Sequence, residues 1–428
     1  MRRWVNYLVQ NSDNFVRAKS YWGDWMVPGK MSPKGVTDTA FCSYSARLLS
    51  KMARVVGNAA DEKTYADYAD KFKEAWNREF VNADGSTKCD TQTSYVLGLY
   101  FDLFPEDLRE SAAAHLEKNV RENGWRLCTG FLGGSYLTSA LADNGYSDTA
   151  YRLLLQTAQP SWLYAVTTGA TSIWEKWDVL NINEDGSSKV YAESMNHFSY
   201  GSIVEWLYKA VAGIDRDDNA LAFQKFVLKP TFGEGLTSAQ ASYESMYGSI
   251  ESGWNIEGST LTYRAAVPAN TTATLTLPAA LPGKSVTVNG QSVESAEGIS
   301  RTASENGKTS YALEAGTYTV VQEIDPSLYT KSYVYIENAA YDAATGKLSA
   351  TVKDYEKELT GCSVILAAYG DENQLLDVEI VPASLTDGQA AVSHVMKKDG
   401  VKSCKIMVWD SADRLTPVTE EKIISVSQ

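Results

Sequence analysis

The chain is poor in the residues that build metal and disulfide frameworks. It has five cysteines and three histidines in 428 residues. Cys42, Cys89, Cys128, Cys362 and Cys404 are scattered, odd in number and without C-x-x-C spacing. That excludes a cysteine zinc site and a dense disulfide framework. Cys362 and Cys404 fall in one strand-rich segment, where pairing and two buried thiols are both open readings. No run of ~18 apolar residues exists, so no membrane span is expected. The N-terminus, MRRWVNYLVQNSDNF, lacks a long apolar core and a small-residue cleavage site. It reads as the tail of a helix rather than as a signal peptide. Clustered Lys and Arg are also missing: 39 basic residues face 53 acidic ones, a net charge of −14. A polyanion partner such as nucleic acid is thereby disfavoured. No internal repeat, cofactor motif or metal-ligand spacing is found.

What is present is a globular composition, 44% apolar and 21% charged, at a length suited to two to four domains. There are 25 Tyr and 11 Trp. Many stand beside Gly, Ser or Asn, the setting of rings that stack on sugars, although most aromatics in any protein are core.

Residues 1–212 are helical in pattern. Ala40, Phe41, Tyr44, Leu48, Met52 and Val55 recur at three and four, predicting a helix entered at Thr37-Asp38 and closed by Gly57. Asp61 opens the next, with Tyr65, Tyr68, Phe72, Trp76 and Phe80 on one face. Residues 91–104 are apolar all round, as in a helix buried on both sides. Pro105 is placed at the N1 position of another, which ends near Asn123-Gly124. Shorter helices follow over 136–142 and 148–156, and a last one over 200–212. About eight helical segments joined by aromatic, Gly-rich and acidic loops describe a helical toroid.

After Gly213 the period changes to two: Leu261, Tyr263, Ala265 and Val267, then Ala273, Leu275 and Leu277, then Val286 and Val288 before the Asn289-Gly290 turn. Residues 213–324 predict one β-sandwich. Asp325-Pro326 reads as a linker into 325–428, a second sandwich of immunoglobulin or fibronectin type. His394 there reads as an ordinary strand residue.

The stretch GATSIWEKWDVLNINEDGSSKVYAESMNHFSYG, residues 169–201, holds the candidate chemistry. Glu175 stands between Trp174 and Trp177, and His197 lies in a small-and-aromatic run. These types suit a pocket that stacks on a sugar and moves a proton at its edge. On spacing alone, W-E-x-W is more often a half-buried helix face with a solvated Glu.

YWGDWMVPG (21–29), GFLGGSYL (130–137), LADNGYSDTAYRLLLQTAQPSWLY (141–164), GATSIWEKWD (169–178) and SMNHFSYGSIVEWLYKAVAGI (194–214) together resemble bacterial α-L-rhamnosidases of glycoside hydrolase family 78, over about residues 1–290. The resemblance implies an (α/α)6 catalytic barrel followed by a β-sandwich, and inverting hydrolysis of terminal α-L-rhamnose from a glycoside or polysaccharide without a cofactor. The glutamate of the family's ATTIWE motif matches Glu175, which implies the general base; Ser172 and Lys176 stand where Thr and Arg are usual. The SFNH histidine matches His197, a sugar-hydroxyl ligand. The GDW aromatic matches Trp25, a stacking platform. Asp24, Trp22, Trp174 and Trp162 are implied pocket wall. The last module, ending KIMVWDSADRLTPV, is similar to accessory sandwiches of secreted glycosidases, which points to an extracellular or cell-surface setting for a full-length protein.

The family's general acid lies in a D-x-P-Q-R-x-E-x-x-G-W-x-G-D motif ahead of GDW, and no such motif occurs here. The expectation is a chain that lacks the acid and part of the barrel, with a missing N-terminal part of the enzyme as partner and little activity alone. Were it active, Asp24 or Asp38 would be the acid to examine. The competing readings are a carbohydrate-binding remnant without turnover and a uronate-acting toroid enzyme. The latter is disfavoured because residues 160–201 hold only Lys176 and Lys189 as cations.

Overall fold

A computed structural model describes residues 1–182, 188–190, 193–328, 333–396, 399–411, 417–419 and 421–426. The polar loop at 183–187 and much of the DSADRLTP stretch lie outside them. The chain divides into two compact units, Met1–Thr330 and Lys331–Gln428.

The first unit begins with helices. Its longer ones are α1 (Arg2–Gln10), α2 (Lys34–Val55), α3 (Ala59–Phe80), α4 (Gln92–Tyr100) and α5 (Glu106–Glu122). Then come α6 (Phe131–Gly134), α7 (Leu137–Ala142), α8 (Ser147–Leu155), α9 (Trp162–Thr167) and α10 (Ile203–Trp206). Local chemistry sets several starts. Asn58 accepts from the Asp61 amide at 3.1 Å, with Asp61 and Glu62 in the first turn of α3. Thr91 caps α4 and Ser161 caps α9 in the same way.

The aromatic face expected of α3 is the packed one: Tyr65, Phe72 and Trp76 are buried. α4 is buried from Gln92 to Leu99, as its apolar sequence required. α2 corrects the sequence reading. It starts at Lys34, and its buried stripe is the small one: Val36, Thr39, Ala40, Ser43, Ala46, Leu49 and Ala53. Met52 and Val55 are exposed. Small residues win because they let α2 and α3 approach closely enough for side-chain to backbone bonds. Ser43 donates to the Ala69 carbonyl at 2.9 Å, Ser50 to Glu62 at 2.8 Å, and the Trp76 indole to Val36 at 3.1 Å. Phe41 and Tyr44 instead pack on Phe101. Two further details differ. Pro105 is the N-cap of α5 rather than its first helical residue. The single helix expected over 200–212 is a 3₁₀ turn (Ser199–Ser202), then α10, then a π-helical turn (Leu207–Val211), an irregularity frequent near functional sites.

A two-stranded ribbon, Leu180–Ile182 with Ser188–Val190, lies within the helical part, and from Ile214 the unit is a sandwich of a six-stranded and a five-stranded sheet. Leu261, Tyr263, Ala265 and Val267 face inward from strand Thr260–Val267, and Ala273, Leu275 and Leu277 from Thr272–Pro278. Among the strands that escaped the sequence reading are two short ones, Ile214–Arg216 and Lys225–Leu228, the latter pairing parallel with Thr272–Leu275. They are three and four residues long, too short to show a period. The sandwich is fastened to the helices by Trp254, whose indole donates to Val211 at 2.8 Å, and by Tyr151, whose hydroxyl donates to Thr231 at 2.6 Å.

The second unit is a sandwich of a three-stranded and a four-stranded sheet around Leu348, Val352, Val364, Leu366, Ile406 and Val408. Cys362 and Cys404 are buried there as free thiols, and all five cysteines are free. Among the described residues no helix is long and apolar enough to cross a membrane.

Candidate functional site

Residues 172–175 and 194–197 lie alongside each other as two non-helical segments. The Glu175 amide donates to the Ser194 carbonyl at 2.9 Å and the His197 amide to Ile173 at 2.8 Å. Ser172 Oγ donates to the Met195 carbonyl at 2.5 Å. This crosslink brings Glu175 and His197 together although 22 residues separate them. It also removes the helix-face reading of W-E-x-W, because residues 174–177 are not helical.

Glu175 is half-buried, and its Oε2 accepts from the Ser194 amide at 3.1 Å. The neighbouring Lys176 ammonium lies 3.2 Å from Asp178 and 4.0 Å from Glu193. Trp174 and Trp177 are buried. Trp177 packs edge-on to Trp162 at 5.7 Å and against Tyr200 at 3.9 Å. The Trp162 indole donates to the Tyr200 carbonyl at 2.9 Å. The Trp162 and Trp177 rings are thus occupied with each other and with Tyr200.

His197 is sandwiched. The Phe131 ring lies 4.9 Å away at 20°, and the Phe198 ring 5.1 Å away at 17° on the adjacent residue. His197 Nδ1 accepts from the Ser199 amide at 3.3 Å. With Nδ1 an acceptor, the neutral imidazole carries its proton on Nε2 and presents a donor.

The 21–29 loop supplies exposed aromatics. Tyr21, Trp22 and Trp25 meet edge to face at 4.6 and 4.5 Å; Trp22 is 56% and Trp25 37% exposed. Trp25, Met26, Pro28 and Met31 line, with Trp177 and the Lys176–Asp178 ion pair, a largely apolar cleft of about 350 Å³. Asp24 is different in kind. It is fully buried, and its carboxylate accepts from Thr93, Gly130, Leu132 and Gly133. Asp38, the other carboxylate considered from the sequence, accepts through one oxygen from the Lys19 and Ser20 amides, each at 2.7 Å.

Sequence reasoning missed Phe131 and Tyr200. Tyr200 is buried, touches Trp162, Trp177 and Phe131, and donates to the Met26 carbonyl at 3.0 Å. Burial pushes its phenol well above the usual tyrosine range, with the Asp24 charge adding to the effect, so it stays a neutral donor. The signal that could have found Phe131 is the pair Gly130 and Gly133 flanking it. A Cβ on Gly130 would fall 2.1 Å from the Trp25 carbonyl oxygen, and one on Gly133 2.5 Å from Thr93 Oγ1. Among the described residues no cluster of three or more His, Cys, Asp or Glu is placed to hold a metal ion.

Comparison with known proteins bears on the same segments. Residues 1–211 match the model of the bacterial alpha-L-rhamnosidase 6 hairpin glycosidase domain, and residues 213–292 that of the bacterial alpha-L-rhamnosidase C-terminal domain. An alpha-L-rhamnosidase of Streptomyces avermitilis is 36% identical over 296 residues, covering 69% of this chain and 28% of that protein. One from Formosa agariphila is 33% identical over 326 residues, covering 74% of this chain and 35% of that protein. The crystal structure of the Streptomyces avermitilis enzyme complexed with L-rhamnose superposes with a TM-score of 0.68 at 33% identity, covering 75% of this chain and 30% of that one. The chain thus spans about a third of the length of the relatives it matches. Its helices, its first sandwich and the ordered motifs between them place it in the bacterial α-L-rhamnosidase family.

Proposed function

We propose that this chain forms the base-bearing, rhamnose-recognising portion of an inverting α-L-rhamnosidase. Glu175 is the general base, His197 donates from Nε2 to a sugar hydroxyl, and Trp25 with Trp22 is the platform for the apolar face of the sugar. Trp174 and Trp162 are buried supports of that wall. The observation that carries the reading is the pairing of the Glu175 and His197 segments: a carboxylate and a hydrogen-bond donor held side by side in a family whose reaction needs both.

An inverting hydrolysis requires a second carboxyl group ~6.5–9.5 Å from the base, to protonate the leaving oxygen. We assign that acid to the length of the relatives that this chain does not span, and that same length is the partner the site would need. Losing a positioned proton donor costs ~10²–10⁴-fold in rate. The substrate is accordingly a terminal α-L-rhamnoside of a glycoside or polysaccharide, bound here and turned over slowly by this chain alone.

The test measures L-rhamnose binding and hydrolysis of an aryl α-L-rhamnoside by the 428-residue protein. Binding with turnover at least a hundredfold below that of a full-length relative is expected. Full turnover abolished by Glu175→Gln would keep the base and overturn the external acid. Full turnover untouched by that substitution would overturn both. Binding with no turnover at all is what a carbohydrate-binding remnant would give. The exposed Tyr21–Trp22–Trp25 chain, able to stack on a sugar without turning it over, is what supports that second reading.

A further inference from the structure

A fully buried carboxylate costs several kcal/mol unless its oxygens are satisfied. Asp24 lies between two partly exposed tryptophans, yet it is turned completely inward. Its Oδ2 accepts from Thr93 Oγ1 at 2.5 Å and from the Gly130 amide at 2.9 Å. Its Oδ1 accepts from the Leu132 amide at 2.8 Å and the Gly133 amide at 3.3 Å. The one amide left over in that run, Phe131, donates to the Trp25 carbonyl at 3.0 Å. Four consecutive N–H groups of residues 130–133 are therefore held by residues 24 and 25. A Cβ on Gly130 would fall 2.1 Å from the Trp25 carbonyl oxygen and 2.8 Å from that of Asp24, which shows how close the two backbones come.

Phe131 carries the constraint onward. Its ring stacks on His197 and meets Tyr200 edge-on at 5.2 Å. The Tyr200 hydroxyl returns to the Met26 carbonyl, one residue past Trp25. The path closes on itself: Asp24, residues 130–133, Phe131, then His197 and Tyr200, then Met26. We propose that Asp24 is the positioning residue of this site, setting the plane of the His197 imidazole through Phe131 and the seat of Trp25 through the shared backbone bonds, without touching the sugar. The proposal rests on His197 and Trp25 being the sugar contacts. Its cost scale is that of misplacement: a shift of ~1 Å in a positioned group costs ~10²-fold.

The experiment uses the full chain with ¹⁵N-labelled histidine, read by the ring-nitrogen shifts of His197, and an L-rhamnose titration followed by tryptophan fluorescence. Asp24→Asn replaces one accepting oxygen with an NH₂ group that faces N–H donors. It should turn the His197 signals from a fixed Nε2–H tautomer into those of an averaged imidazole, with His115 and His394 unchanged, and weaken rhamnose at least tenfold. Phe131→Leu should do the same to His197 while the amides of 130–133 stay protected from exchange, and it decides the matter if Asp24→Asn does not fold. A folded Asp24→Asn protein with wild-type His197 signals, or a Phe131→Leu protein with an unchanged imidazole, overturns the proposal. If the wild type binds no rhamnose while His197 still responds, the sugar assignment fails and the positioning of His197 by Asp24 stands.

Discussion

Glu175 and Ser194 hold each other twice: the Glu175 amide donates to the Ser194 carbonyl, and the Ser194 amide donates to Glu175 Oε2. The backbone half of this pair sets the loop; the side-chain half aims the carboxylate. Because Ser194 is exposed and Glu175 half-buried, water can replace the side-chain bond. Glu175→Gln and Glu175→Ala should therefore change unfolding free energy by less than ~1 kcal/mol, while any rhamnoside hydrolysis falls to background. Urea unfolding and an aryl rhamnoside assay check this. A loss above ~2 kcal/mol would make Glu175 a structural residue.

The tryptophans should separate into two classes. Trp22→Ala and Trp25→Ala remove partly exposed rings, so stability should fall little and L-rhamnose affinity about tenfold each, ~1.4 kcal/mol. Trp162→Ala removes a buried ring and its bond to the Tyr200 carbonyl, at ~3–5 kcal/mol of stability. Calorimetric titration beside denaturant melts distinguishes platform from buried support.

Gly98 lies inside α4, where alanine would ordinarily add ~0.5–1 kcal/mol of helix stability. Here a Cβ would fall 2.3 Å from a Phe104 ring carbon and 2.8 Å from a Trp76 ring carbon, both side chains being fully buried. Gly98→Ala should instead cost ~1–3 kcal/mol. A gain in stability would show that the two rings yield.

Burial pushes the Cys362 and Cys404 thiols up to about 11, and Cys42 up to about 12, from 9.0. The folded state then holds protons that the unfolded chain releases above pH 9. Their contribution is fully present below pH 9 and is lost as pH rises towards 11–12. The urea midpoint should fall over that range, and less steeply in the Cys362→Ala, Cys404→Ala double variant. At pH 8 an alkylating reagent should reach half-buried Cys89 before the fully covered Cys404.

Much of the architecture was legible in order along the chain. Three- and four-residue spacing marked α3, uniform apolarity marked α4, and period-two alternation marked the inner face of the first sandwich, because those patterns are local and each is dictated by the geometry of one element. The family motifs likewise singled out Glu175, His197 and Trp25 one at a time. What only the tertiary structure decided is who meets whom. The inward stripe of α2 follows from how closely α3 can approach, not from where the largest side chains fall. Asp24 and Trp25 are neighbours in sequence, yet one is buried among the amides of residues 130–133 and the other is open, because the partners that separate them lie more than a hundred residues away. Phe131 and Tyr200 stand inside two of the family-like stretches, but the stretches give them no role, and their parts come from contacts the chain makes only when folded.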